Sequence, residues 1–383
     1  MKRFFSLMLL LALMLSLISC GSDVDVNEES ETQTETETES DTEPAKSLER
    51  HEYALKNNTD LLKLYGRMTA TDKGITCDFA ASGIEFSAYV DGFVSLEVTA
   101  EYHKVASQAT KNDDIYFSVF VDGVKDERRY KVAKGTTQTL KIAYFDEPGE
   151  HTIKVLRQTE AIRGLCTLKS LSFVGTLNEA PSPAPYYIEF IGDSITSGYG
   201  NLVANGASSI GSYHNDGTQT YAFLAAQALG ADFSMISCSG IGVTSGYVPM
   251  VAEQVYTKNS YFRSQETAFT PTRTPDVVVI NLGTNDRSKK VDTTTFKNDV
   301  KSLIASVRST YGKDVKIVWA YGMMDDSYSA HTMAAINELG GTAAGLYTVQ
   351  LTRNNSGGGG HPNLAAHKSS AEILANFIKQ NVK

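Results

Sequence analysis

Tyr187-Ile188-Glu189-Phe190-Ile191 is a strand-sized, largely apolar run that leads directly into Gly192-Asp193-Ser194-Ile195. Four further runs of the same kind follow it: Phe233 to Ser237, Val277 to Leu282, Val315 to Tyr321 and Leu346 to Leu351. Short, continuously apolar segments of this sort read as strands covered on both faces. Helical patterns lie between them, the clearest being Phe296, Val300, Leu303, Ile304 and Val307, which share one helical face. Repeated β-then-α units predict an α/β domain over residues 186–383, with a parallel sheet between two layers of helices. Such sheets take ligands at the carboxyl ends of their strands. The residues just after each apolar run are therefore where chemistry is expected.

Upstream of this domain the pattern changes. Pro181-Ser182-Pro183-Ala184-Pro185 reads as a stiff linker over residues 179–185. Before it, residues 47–178 hold many short strand-like segments and no convincing helix. Ile84 to Val90, Val94 to Val98, Ile115 to Val121, Thr139 to Ala143, His151 to Val155 and Leu168 to Val174 are the clearest. Asp91-Gly92, Asp122-Gly123 and Pro148-Gly149 read as turns between them, so a β-sandwich of the jelly-roll kind is expected.

The first 20 residues are a targeting segment rather than part of a fold. Lys2 and Arg3 precede an apolar stretch from Phe4 to Ile18, too short to cross a bilayer comfortably, and Leu17-Ile18-Ser19-Cys20 has the form of a bacterial lipobox. Export, lipid attachment at Cys20 and a membrane partner through that lipid are expected. Residues 21–46 form an acidic Glu/Thr-rich spacer that repels itself and buries nothing. The ten acidic residues from Asp23 to Glu43 account for nearly all of the net charge of −9. The remainder is close to neutral, which disfavours nucleic acid as a partner. Cys77, Cys166 and Cys238 have neither zinc-site spacing nor a disulfide framework; buried free thiols are expected, with a Cys77–Cys166 pairing left open. No metal-ligand cluster or dinucleotide fingerprint occurs, and no cofactor is expected.

Four blocks stand at the expected places after the apolar runs. They are Gly192-Asp193-Ser194-Ile195, Ser239-Gly240-Ile241-Gly242, Gly283-Thr284-Asn285-Asp286 and, ahead of the last helix, His361-Pro362-Asn363. Taken singly, each has a plainer explanation: Ser194 as a helix cap, Gly240 and Gly242 as turn glycines, Asn285 as an Asx turn. As a set they match what ester cleavage requires. A serine hydroxyl needs a base, and a histidine with an unperturbed pKa of about 6.5 supplies one. The backbone N–H groups of Ser194 and Gly240 and the side-chain amide of Asn285 would then receive the oxyanion of the tetrahedral intermediate. Of the other histidines, His51, His103 and His151 lie in the β region, His214 and His331 are less well placed, and His367 falls inside the final helix.

Together the four blocks resemble the SGNH (GDSL-like) hydrolases at Ser194, Gly240, Asn285 and His361, over the whole C-terminal domain. That resemblance implies the flavodoxin-like fold and makes Ser194 the nucleophile and His361 the base. With the β region ahead of it, the chain is similar to carbohydrate esterase family 2. The likeness is carried by Ser82-Gly83-Ile84-Glu85-Phe86, Phe190 to Gly200 and Thr220-Tyr221-Ala222. It implies a carboxylic ester hydrolase that removes O-acetyl groups from acetylated polysaccharides such as xylan or glucomannan.

The sequence departs from the family pattern in two ways. Gly358, Gly359 and Gly360 stand where many members carry an aspartate that orients the histidine. A backbone carbonyl or, less directly, Asp325 or Asp326 is left to do so. The aromatic residue that some members place beside the histidine is Gly360, so sugar stacking falls to Tyr199, Tyr247 or Trp319, of which Trp319, inside a strand, reads as core. Two alternatives remain open: an esterase acting on peptidoglycan O-acetyl or lipid esters, and a non-catalytic carbohydrate-binding lipoprotein.

Overall fold

Val278, Ile280, Ile317 and Trp319 pack on one side of a five-stranded sheet, and Ile188, Phe190, Val279, Val318 and Ala320 on the other. This alternation within continuous apolar runs is what a sheet covered on both faces demands. The strands, Tyr186–Gly192, Ala231–Ser237, Val277–Asn281, Lys316–Gly322 and Leu346–Leu351, are all parallel. The second lies at one edge beside the first, followed by the third, fourth and fifth, so the order reverses at the first strand. This computed structural model describes residues 49–102, 111–203, 207–261 and 268–382. The expected export signal, Cys20 and the acidic spacer lie outside the described residues.

One face is covered by the helix Thr293–Tyr311, whose Phe296, Val300, Leu303, Ile304 and Val307 are all buried, as the periodicity requires. Asp292 caps it by accepting from Thr294 N and Thr295 N, and Gly312 follows its last turn. The helices Tyr221–Ala228 and Leu364–Asn381 cover the other face, the latter through Leu374, Ala375 and Ile378.

The N-terminal region is a ten-stranded, mostly antiparallel assembly, consistent with a β-sandwich. Two expected turns are not turns. Gly83–Glu101 and Thr137–Arg157 are single long strands paired with each other, and the chain runs straight through Asp91-Gly92 and Pro148-Gly149. Val90 pairs with Gly149 and Gly92 with Phe145, so Asp146, Glu147 and Pro148 bulge opposite Asp91. Gly and Pro serve a bulge as readily as a reversal, because both places lack a ladder hydrogen bond. Asp122-Gly123 does turn, between Ile115–Val121 and Val124–Lys125. Cys77 and Cys166 are cross-strand partners with sulfurs 3.2 Å apart; they and Cys238 are buried free thiols.

The β region is not held at arm's length by its Pro-rich connection. Asp232 accepts from Ala184 N at 2.7 Å and Arg273 donates to Ala184 O at 2.6 Å, which fixes the connection on the α/β domain. Tyr65, Ala80, Phe120 and Leu156 share a core with Phe190, Tyr221 and Phe233, while Phe79, Ala161 and Ile162 join the core beneath Ile191 and Ile236. The described residues therefore form one compact unit.

Candidate active site

The first strand of the parallel sheet ends at Gly192, and a single helical turn, Ser194–Ser197, begins two residues later. Asp193 caps that turn by accepting from Ile195 N at 2.9 Å, so Ser194 is not the cap but the first helical residue. Its hydroxyl is left for another partner. That partner is His361: Nε2 lies 2.8 Å from Ser194 Oγ, although the two residues are 167 positions apart.

His361 is oriented by its own chain. Nδ1 is 3.2 Å from Gly359 O, so a backbone carbonyl stands where an aspartate was missed. Neither aspartate considered for this role serves it: Asp325 faces Arg287 at 3.5 Å and Asp326 faces Arg353 at 3.2 Å. The histidine turn is tight. Gly359 and Gly360 have φ of +60° and +73°, a region L side chains rarely adopt. Gly358 N donates to Gly200 O, and His361 N to Gly358 O. Tyr199 packs on the imidazole with ring centres 4.6 Å apart. Burial pushes His361 below the usual histidine pKa, opposed by the Gly359 and Gly358 carbonyls.

Gly240 follows the second strand, in a loop fastened from several sides. Tyr247 N donates to Gly240 O at 2.7 Å. Asp286 accepts from Val243 N, Thr244 N and Ser245 N at 2.7–3.0 Å. Among the described hydrogen bonds, Gly240 N has no protein acceptor. Asn285, on the short helix Thr284–Ser288 after the third strand, donates through Nδ2 to Ile241 O at 2.8 Å and to Asp193 Oδ2 at 3.2 Å. Burial, reinforced by the nearby Asp286 carboxylate and opposed by the Ile195 N–H, pushes Asp193 up to about 7. Ser194, Gly240, Asn285 and His361 thus meet at the carboxyl edge of the sheet, at its topological switch point.

They line an open cleft of about 780 Å³ together with residues that sequence reasoning missed. Tyr199 and the exposed Tyr247 reach it, but Trp319 does not: it is fully buried and donates to Leu282 O. Arg287 and Met324 line it from the α/β domain, and Glu160, Ile162 and Arg163 enter from the β region. No motif marks the last three, because only the docking of the two regions brings them there.

Two family models match, in tandem. Residues 64–183 match the carbohydrate esterase 2 N-terminal family, and residues 190–368 match the GDSL-like Lipase/Acylhydrolase family. The chain thus joins a carbohydrate esterase 2 N-terminal domain to a GDSL-like hydrolase domain. It is 30% identical to the cellulase/esterase CelE of Acetivibrio thermocellus over 83% of its own length, and spans 39% of that larger enzyme. It is 21% identical to an acetylxylan esterase / glucomannan deacetylase of Cellvibrio japonicus, covering 88% of this chain and 93% of that one. Among solved structures, a family two carbohydrate esterase from Clostridium thermocellum in complex with cellohexaose superposes with a TM-score of 0.73. The identity there is 29%, over 83% of this chain and 98% of that one.

The Gly240 loop leaves no room for a methyl group at Gly242, where a Cβ would lie 1.9 Å from Ser245 O and 2.9 Å from Asp286 Oδ1. Gly242→Ala is expected to lower stability by about 1–3 kcal/mol through overpacking. Urea unfolding of the variant beside the wild type measures this, and an unchanged midpoint would show that the loop yields freely.

Proposed function

We propose that this esterase removes O-acetyl groups from polysaccharides of the xylan or glucomannan type, with Ser194 as nucleophile and His361 as general base. The contact between Ser194 Oγ and His361 Nε2 carries the reading. His361 takes the hydroxyl proton as Oγ attacks the acetyl carbonyl. The N–H groups of Ser194 and Gly240 and the side chain of Asn285 receive the oxyanion, Asn285 exchanging one of its two present bonds for it. Each such donor is typically worth about 10²–10³ in rate. The protonated imidazole then returns the proton to the departing sugar oxygen. Water, activated by the same base, releases acetate from the acetyl-enzyme and restores Ser194.

The polysaccharide substrate is supported by the relatives, one named for acetylxylan and glucomannan and another bound to cellohexaose. A cleft bordered by an exposed tyrosine suits a sugar chain lying across the serine. Export and lipid attachment at Cys20 belong to the same proposal, resting on Lys2, Arg3 and the apolar run that ends at Cys20. Labelled palmitate should enter the wild type in a bacterial host and not Cys20→Ala; equal labelling of both would remove the anchor.

Acetate release from acetylated xylan and glucomannan is expected for the wild type, and a fall of roughly 10⁴-fold or more for Ser194→Ala. Hydrolysis of a small acetyl ester without release from either polymer would keep the chemistry and refute the substrate. Binding of the polymers without any hydrolysis would leave a carbohydrate-binding protein.

The pH dependence has a definite sign. Only neutral His361 accepts the proton, and burial lowers its pKa, so it stays neutral further into acid than an ordinary histidine. The acid limb of kcat/KM for the small ester is therefore expected to have its midpoint below about 6.5. A midpoint above that value would show a negative partner for the imidazole.

A further inference from the structure

We propose that Glu160, a carboxylate contributed by the β region, is a positioning residue that locks the Gly240 loop and the His361 turn into one frame. The inference rests on the proposed roles of Gly240 and His361.

The segment that carries Glu160 is built around a buried guanidinium. Arg157, at the end of the long strand Thr137–Arg157, is fully buried. It donates to the carbonyls of Thr159 at 2.7 Å, Glu160 at 3.0 Å, Gly164 at 2.7 Å and Cys77 at 3.2 Å. A cation shared among four carbonyls fixes the path of residues 159–164 and turns them toward the α/β domain.

Glu160 is itself fully buried. Its carboxylate accepts from Arg163 Nε at 3.2 Å, from Asn215 Nδ2 at 3.3 Å and from the Ser239 hydroxyl. Two of these donors belong to the α/β domain, and each leads to one half of the site. Ser239 immediately precedes Gly240 in the chain. Asn215 Oδ1 accepts from Gly200 N at 2.9 Å, Gly200 O accepts from Gly358 N at 2.9 Å, and Gly358 O accepts from His361 N at 3.2 Å. One carboxylate is thus tied directly to the residue before Gly240 and, through a short relay, to the backbone of His361. Arg163 supplies the neighbouring positive charge that makes burying this carboxylate tolerable. Glu160 bonds to none of the groups that would react, so its effect passes through Ser239 and Asn215.

Asp286 holds the far side of the Gly240 loop through residues 243–245, and Glu160 holds the near side through Ser239. Releasing the near side misplaces an oxyanion donor without removing it. A misplacement of about 1 Å can cost roughly 10²-fold in rate. The loss is expected in kcat rather than in KM, because the donor meets a full charge only in the transition state.

The test uses the full chain and a small acetyl ester, with Glu160→Ala, Glu160→Gln, Ser239→Ala and the double variant Glu160→Ala/Ser239→Ala. Glu160→Ala should lower kcat by about 10- to 100-fold with KM within about twofold. Glu160→Gln, which keeps an acceptor for Ser239, should recover part of that loss. Ser239→Ala should lower kcat in the same sense, and the double variant should be no slower than Glu160→Ala by more than about twofold, since both changes cut one link. Should Glu160→Ala fail to fold, Ser239→Ala and Glu160→Gln still decide the matter. An unchanged kcat in folded Glu160→Ala or in Ser239→Ala, or losses that multiply in the double variant, would overturn the latch and leave the esterase reading intact. A wild type without Ser194-dependent hydrolysis would overturn both.

Discussion

A parallel sheet buried on both faces has apolar side chains above and below along its length, and polar chemistry is forced to its ends. In this protein the covering helices take Val278, Ile280 and Trp319 on one side and Phe190, Val279 and Val318 on the other. The hydroxyl of Ser194, the amide of Asn285 and the N–H of Gly240 all follow the last residue of a strand by only a few positions. Their mutual placement is a consequence of strand register, which interior packing specifies strongly. His361 is different: it arrives on a turn after the fifth strand, and its position depends on contacts between loops.

The carbonyl of Gly359 performs part of what a carboxylate would perform. An acceptor at Nδ1 fixes the ring and places the proton on Nδ1, leaving Nε2 free to accept from Ser194. Where an aspartate is replaced by a group that favours the other tautomer, the loss is about 10⁴-fold, and much of that is the wrong tautomer rather than the missing charge. A carbonyl keeps the right one. In the proposed reaction it would offer less to the imidazolium than a carboxylate, and burial already displaces the His361 pKa downward. The glycine run serves this arrangement, because the carbonyl two residues back reaches the ring only through two successive left-handed residues.

The five parallel strands and the helix Thr293–Tyr311 were legible because their burial is periodic, and periodicity is a local signal. The four site blocks were legible for a related reason: a strand end is a fixed address in the chain. Two strand reversals were misread at Asp91-Gly92 and Pro148-Gly149, since a bulge and a turn favour the same residues and differ only in what lies across the ladder. Trp319 sits inside an apolar strand run, and that position already marked it as core rather than as a sugar platform. Glu160, Ile162 and Arg163 had no signal at all. Their place in the cleft depends on contacts between regions far apart in the chain, and no short pattern encodes such a contact.

The Gly240 side of the cleft, proposed to receive the oxyanion, is stiff in a way that matters for how donors would act. Three N–H groups of residues 243–245 converge on Asp286, the Gly240 carbonyl is held by Tyr247 N, and a Cβ at Gly246 would lie 2.1 Å from that same carbonyl. A loop packed this closely has few other conformations, so the cost of aiming its N–H groups falls on folding rather than on the reaction. Asn285 sits in the same frame with its amide already bonded to Asp193 and Ile241. A donor engaged by a neutral carbonyl and a carboxyl pushed up to about 7 is held less firmly than one facing a fully charged partner. In the proposed reaction it would gain most by turning to the oxyanion, and that gain would exist only while the tetrahedral intermediate does.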